Sequence, residues 1–278
     1  MLAPSRSLID RRVLGALELL DAATGERITA PMLLSSPSLR FVRNRSGLHV
    51  VNGLVPRTLQ EQQLSNHLDA FDAAPGGLAD GAIDFPIQIA DPTGRYLPRT
   101  HTIGLPRGAQ AGNPIPVEMF LSPAGPVGQN WSGIRATLRQ QVPGGEIPLA
   151  GARVGLVRDS DDQLLGSGIS DARGEVLALA VGIPIIDFTV GPTPSPTPAP
   201  VPTPAPTPAP APAPVGTKKV ATRLQIETAP GLPWPTDPDA ITASGQTWVP
   251  VAGDLPTLEL ETGRILADGL SFLLEPET

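Results

Sequence analysis

The residues best placed to do chemistry are acidic, and they gather around tight glycine turns. In LLGSGISDARGEVLALAV, residues 164–181, Asp171 and Glu175 flank Gly174, and Asp159, Asp161 and Asp162 lie just upstream. Paired carboxylates can share general acid and base work, and a cluster of them can hold calcium. A calcium loop of the EF-hand kind needs glycine at its sixth position and glutamate at its twelfth, and the stretch from Asp159 supplies neither. The competing reading is conformational. An Asp side chain accepts from backbone N–H groups two or three residues on, and glycine takes positive φ, so together they reverse a strand. The same chemistry recurs at Asp91 to Gly94 and, one residue longer, at Asp21 to Gly25. Three uses in one chain favour a hairpin turn over a metal site.

No other grouping makes a stronger claim to catalysis. His49, His67 and His101 fall in different expected elements without the spacing of metal ligands, and His49 is expected to face solvent from the strand it adjoins. There is no G-x-S-x-G elbow, Ser46-Gly47 belongs to a hairpin, and no phosphate-binding glycine motif follows a strand. The sequence therefore assigns no catalytic, cofactor-binding or metal-binding residue, and the chain is expected not to be an enzyme. Two features suit binding instead. Arg40, Arg43 and Arg45 cluster around FVRNRSG, a hairpin tip where guanidinium forks can meet an acidic partner. Trp234, held between Pro233 and Pro235, is barred from a regular central strand and is expected as an exposed anchor, whereas Trp131 and Trp248 are expected in the core.

Composition narrows the class. A net charge of -7 argues against a general nucleic-acid binder, whose affinity rests on basic groups neutralising phosphates. Without cysteine there is no disulfide and no thiolate chemistry. No stretch approaches the roughly 20 apolar residues of a membrane span, and the apolar run near the start is broken by Glu18 and Asp21 without a signal-cleavage pattern. Synthesis in the cytoplasm is the expectation, with incorporation into a larger particle left open. Hydrophobic residues make up 40% of the chain but aromatics only 4%, so its cores must be aliphatic.

The elements that carry these residues read as strands. Before residue 112, RVLGALELLDAATGERIT, LRFVRNRSGLHVVNG and FPIQIADPTGRYLPRTHTIGLP each give a strand, a turn and a return, and only RTLQEQQLSNHL reads as helix, with Thr58 and Glu61 as a capping box. From residue 113 further strands follow at spacings that suit a β-sandwich. In PTPSPTPAPVPTPAPTPAPAPAP, residues 192–214, every second residue is proline, which favours an extended rod of roughly 70 Å. After it, KKVATRLQIET, TWVPVA, PTLELET and GLSFLLEP are four strand candidates that form either a small separate module, the favoured reading, or the completion of the second sandwich. The fold expected is all-β: β-sandwich modules of Ig or transthyretin-like type over 1–112 and 113–191, a proline-rich linker over 192–216 and a β-segment over 217–278.

Residues 147–181, IPLAGARVGLVRDSDDQLLGSGISDARGEVLALAV, resemble a carboxypeptidase regulatory-like domain, a transthyretin-like (prealbumin-like) β-sandwich. Pro148, Leu149, Gly151, Ala152 and Val154 match one strand of that family and Ser170, Asp171, Gly174 and Glu175 the turn into the next, while Val176 and Leu177 replace its usual aromatic. The resemblance implies a fold of about residues 114–190 and carries no catalytic residue. Residues 19–51, and RNRSGLHV above all, are similar to small β-rich proteins encoded with bacterial phage-tail-like contractile injection systems. Together these imply a non-catalytic structural or adaptor component of such a particle, binding other protein subunits. An exported adhesin or carbohydrate-binding module, and an accessory protein of a hydrolase, are the alternatives.

Overall fold

The structure, a computed structural model, describes residues 13–69, 82–107, 113–183, 219–229, 231, 233–267 and 269–276. The proline run, and the segment IIDFTV at 185–190 that reads as a strand in the sequence, lie outside these residues. The described chain is mostly strand, as its alternating aliphatic pattern requires.

The first half runs β1 (Gly15–Asp21), β2 (Leu33–Ser35), β3 (Leu39–Arg43), β4 (His49–Leu54), α1 (Leu59–Asp69), β5 (Ile83–Ala90), β6 (Arg99–Leu105) and β7 (Ile115–Met119). Two sheets result, in the orders β3-β4-β1-β7 and β2-β5-β6. Each strand turns alternate aliphatic side chains inward, so Leu17, Leu19, Val51 and Val117 of one sheet meet Phe85, Ile87, Ile89 and Ile103 of the other in a single core. The helix closes one side with Leu64, which is fully buried. Its first turn is capped as the sequence suggests, with the Glu61 amide donating to Thr58 Oγ1, although Glu61 Oε2 returns to the Arg57 amide rather than to that of Thr58. The sequence opens its second module at residue 113, but β7 pairs parallel with β1 and so joins the first sheet. Burial of one face explains this, since Val117 and Met119 enter the first core while Pro116 and Glu118 stay exposed.

The second half contains β8 (Ser132–Val142), β9 (Gly145–Pro148), β10 (Arg153–Arg158), β11 (Leu164–Ile169) and β12 (Glu175–Ala180), then β13 (Lys219–Thr228), α2 (Pro238–Ser244), β14 (Gln246–Pro250), β15 (Leu258–Glu261), β16 (Ile265–Leu266) and β17 (Ser271–Pro276). Pairing runs β10-β11-β12-β8-β17-β14-β13, and β13 pairs again with β10, which closes a barrel. The favoured reading of the C-terminal strands as a separate module is thus corrected: they pair with β8 and β10 and complete the second unit. The physical reason lies in the pattern of β13, whose Thr222, Leu224 and Ile226 face inward while Arg223 and Gln225 face out. Half of a two-faced strand must be covered, and the residues that cover it are Ile134, Val154 and Leu156 of the earlier strands.

Backbones approach closely along β12. A Cβ placed on Gly166 would lie 1.7 Å from the Leu179 carbonyl oxygen, and one on Gly168 2.2 Å from that of Leu177. The outward residues Leu177 and Leu179 enter the core of the first half, so the two halves share packed surface.

Candidate functional site

The acidic turns are spent on the backbone. Asp171 Oδ1 accepts from the amides of Arg173 at 2.8 Å and Glu175 at 3.0 Å, and Gly174 has φ +77°. Asp91 receives the amides of Thr93 and Tyr96, and Asp21 those of Ala23 and Thr24. These hydrogen bonds are the turn chemistry that the sequence suggests. Upstream, Asp162 meets Arg223 at 2.8 Å and Asp161 meets Arg158 at 3.0 Å, so those carboxylates face guanidinium groups.

One cluster escaped the sequence reading. Strand β6 presents Arg99, His101, Ile103 and Leu105 on its inner face, and both polar residues are buried. Against them lies the segment between β13 and β14. Thr100 donates from its amide to the Thr236 carbonyl at 3.1 Å and from Oγ1 to that of Pro235 at 2.9 Å, which zips the segment onto the strand. Asp237 then caps α2, accepting from the Asp239 amide, and both carboxylates turn to Arg99. Arg99 Nη2 donates to Asp237 Oδ1 at 3.0 Å and to Asp239 Oδ2 at 2.7 Å, while Nη1 donates to the Glu118 carbonyl at 2.6 Å. His101 Nδ1 shares Asp239 Oδ2 at 3.0 Å. The hydrogen bond from His101, and then Arg99, hold the Asp239 carboxyl down at about 2 against the opposing effect of burial.

His101, Asp237 and Asp239 could each offer an atom to a metal ion, and those atoms lie within 4.8 Å of one another. The guanidinium of Arg99 already faces the same two carboxylate oxygens, so the charge an ion would bring is supplied by the chain and a second cation would be repelled. What the cluster does is lock the C-terminal segment to the first half. The signal for it was present in RTHTIGL, where a strand alternates but places arginine and histidine at inward positions.

The arginines expected to bind a partner sit where the sequence puts them. Arg40 and Arg43 lie on β3 and Arg45 in the turn to β4, all exposed. Arg43 Nη2 donates to the Thr29 carbonyl at 2.5 Å, whereas Arg40 and Arg45 form no hydrogen bond or ion pair among the described residues. Among the described residues strand β3 pairs only with β4, so no described strand covers its outer edge beside Val42. Trp234 is not brought to this surface. It is half-buried against Leu97, Phe120, Ile169 and Ile241, so the expected exposed anchor is instead an internal one that seats the same segment as Asp237. Trp248 is buried and Trp131 packs against the first core, as expected.

His49 differs from expectation. It is 5% exposed, on a strand that lies inside its sheet between β3 and β1. Burial, and then Arg43, push its pKa below 6.5. A histidine held neutral in the fold binds its proton more readily when unfolded, so the stability it contributes is complete above pH 6.5 and is lost as pH falls towards the lower folded value. Thermal unfolding measured from pH 8 to pH 5 should show a decline in stability that His49→Asn reduces; an unchanged slope in that variant would assign the decline elsewhere.

No family model, curated protein or solved structure matches this chain.

Proposed function

We propose that this protein is a non-catalytic structural or adaptor component of a phage-tail-like contractile injection particle and works by binding another protein subunit. The observation that carries the reading is the β3–β4 hairpin: a sheet edge unpaired among the described residues, with arginines that meet no carboxylate among them, on a chain whose net charge is -7. Strand edges recruit extended segments, and guanidinium groups select acidic ones. Resemblance of residues 19–51 to proteins of contractile injection systems supplies the particle. The carboxypeptidase regulatory-like resemblance and the all-β fold fit a binding role, and the proline run suits a spacer.

Particles purified from the native host test it. The protein should travel with sheath and tube proteins, and changing Arg40, Arg43 and Arg45 together to Glu should reduce that association at least tenfold, because like charges at an interface cost several kcal/mol. The variant should unfold close to the wild-type temperature, since all three side chains are exposed and the hydrogen bond given up is the surface one from Arg43 to the Thr29 carbonyl. Absence of the wild-type protein from sheath-bearing fractions would defeat the proposal.

A further inference from the structure

We propose that the polar pocket between the Asp21 and Asp91 turns binds one neutral sugar ring. The cavity measures about 230 Å³ and is walled by both turns, by residues 26–30, and by Arg95, Tyr96 and Trp131. It is smaller than the roughly 300–1,000 Å³ typical of drug-sized ligands and has room for a single ring.

Its walls are fixed in place. Tyr96 donates from its hydroxyl to Asp21 Oδ2 at 2.7 Å and from its amide to Asp91 Oδ2 at 3.0 Å, so the two turns are tied together through one residue. Arg95 lies over the Tyr96 ring at 5.3 Å and 3.8 Å from Asp21 Oδ2, and its guanidinium has no hydrogen-bond acceptor among the described residues. Trp131 rests against Gly128 so tightly that a Cβ there would come 2.7 Å from the indole Cε2. The absent side chain lets the ring press on the backbone, while the half-buried indole still contributes to the pocket wall.

Charge selects the ligand class. Asp21, Asp91 and Glu26 outnumber the cations, because Arg27 is committed to Glu18 and only Arg95 has donors to spare. An anion is therefore disfavoured. Asp21 and Asp91 are engaged by backbone amides and by Tyr96, whereas the Glu26 carboxylate forms no hydrogen bond or ion pair among the described residues. What remains unspent is a rigid aromatic wall, one planar donor and one planar acceptor. A sugar ring matches all three, with an apolar face for the indole and adjacent hydroxyls that can accept from Arg95 and donate to Glu26. The inference goes beyond the adaptor reading and does not rest on it.

The test titrates the full chain with glucose, galactose and N-acetylglucosamine, and with glucuronate as the anionic comparison, and follows the Trp131 indole N–H and the amides of Thr93 and Gly94 by nuclear magnetic resonance. At least one sugar should give saturating shifts with a Kd on the order of 1 mM. Arg95→Gln and Glu26→Gln, both at exposed positions, should each weaken it at least tenfold without lowering the unfolding temperature. Failure of all three sugars to saturate at roughly 100 mM, binding unaltered by both variants, or preference for glucuronate over glucose would overturn the proposal.

Discussion

A chain ending at residue 191 is expected to lose the native fold of its second half, and adding residues 217–278 as a separate polypeptide is expected to restore it. Leu224, Ile226, Trp248, Leu260 and Leu274 come from the C-terminal strands and are buried against Ile134, Leu138, Val154 and Leu156. Burying one such side chain stabilises by about 1.5–3 kcal/mol, whereas a whole protein has only about 5–15 kcal/mol to lose. Strands β8 and β10 would also have unpaired edges, because β17 and β13 occupy them in the intact chain. Cleavage within the proline run changes much less. It leaves every contact among the described residues in place, so the two pieces should elute together on size exclusion and separate only in denaturant. Circular dichroism and thermal unfolding of the 1–191 chain supply the other arm. If that chain unfolded cooperatively at the full-length temperature, the C-terminal strands would not be part of the same folding unit.

Arg99→Ala should be the most damaging single change on the inner face of β6. The guanidinium is 3% exposed and serves Asp237, Asp239 and the Glu118 carbonyl, so its loss removes the buried positive charge and leaves Asp237 Oδ1 with the Asp239 amide and Asp239 Oδ2 with His101. Breaking a buried pair costs about 3–5 kcal/mol, and the lower end applies because the Asp239 side chain is 60% exposed and water can screen it. In a protein of this size about 3 kcal/mol corresponds to a fall in Tm of roughly 6–12 °C. Arg99→Lys should recover part of the loss, since it restores charge without the planar fork. A double-mutant cycle with Asp237→Asn checks the coupling, and additive effects would show that the pair does not act as a unit. Acid provides a second readout. The Asp239 carboxyl is held at about 2, below its ordinary 3.8, so its contribution is complete above about pH 4 and disappears as pH falls through about 2. Asp239→Asn should flatten that part of the acid-unfolding curve.

Much of this arrangement was legible because local chemistry and tertiary packing agree. Asp171, Asp91 and Asp21 carry their instructions within five residues, and the turns form as written. The alternation in FPIQIA and LRFVR shows which side chains face inward, and Phe85, Ile87 and Leu39 are buried accordingly. What stayed hidden was which distant strands become neighbours. Nothing in PVEMF says that it lies beside β1, and nothing in KKVATRLQIET names β10, because pairing partners are chosen by the fit of two surfaces remote in sequence. The Arg99 cluster was missed for a related reason: Asp237 and Asp239 stand far along the chain, and it is α2 that brings them to β6. His49 was misjudged because burial depends on strands that flank it, and its own segment does not record them.

Gly166 and Gly168 have a consequence for the shape of the second unit. A flat ribbon cannot join its first edge to its last, and bending one brings atoms on its inner side into collision. Where those two residues lean on β12 there is no methyl group to collide, so curvature is gained at low steric cost. Larger side chains at these points would straighten the wall and prise the seam between β10 and β13 apart, so the circumference is set as much by atoms left out as by those that pack.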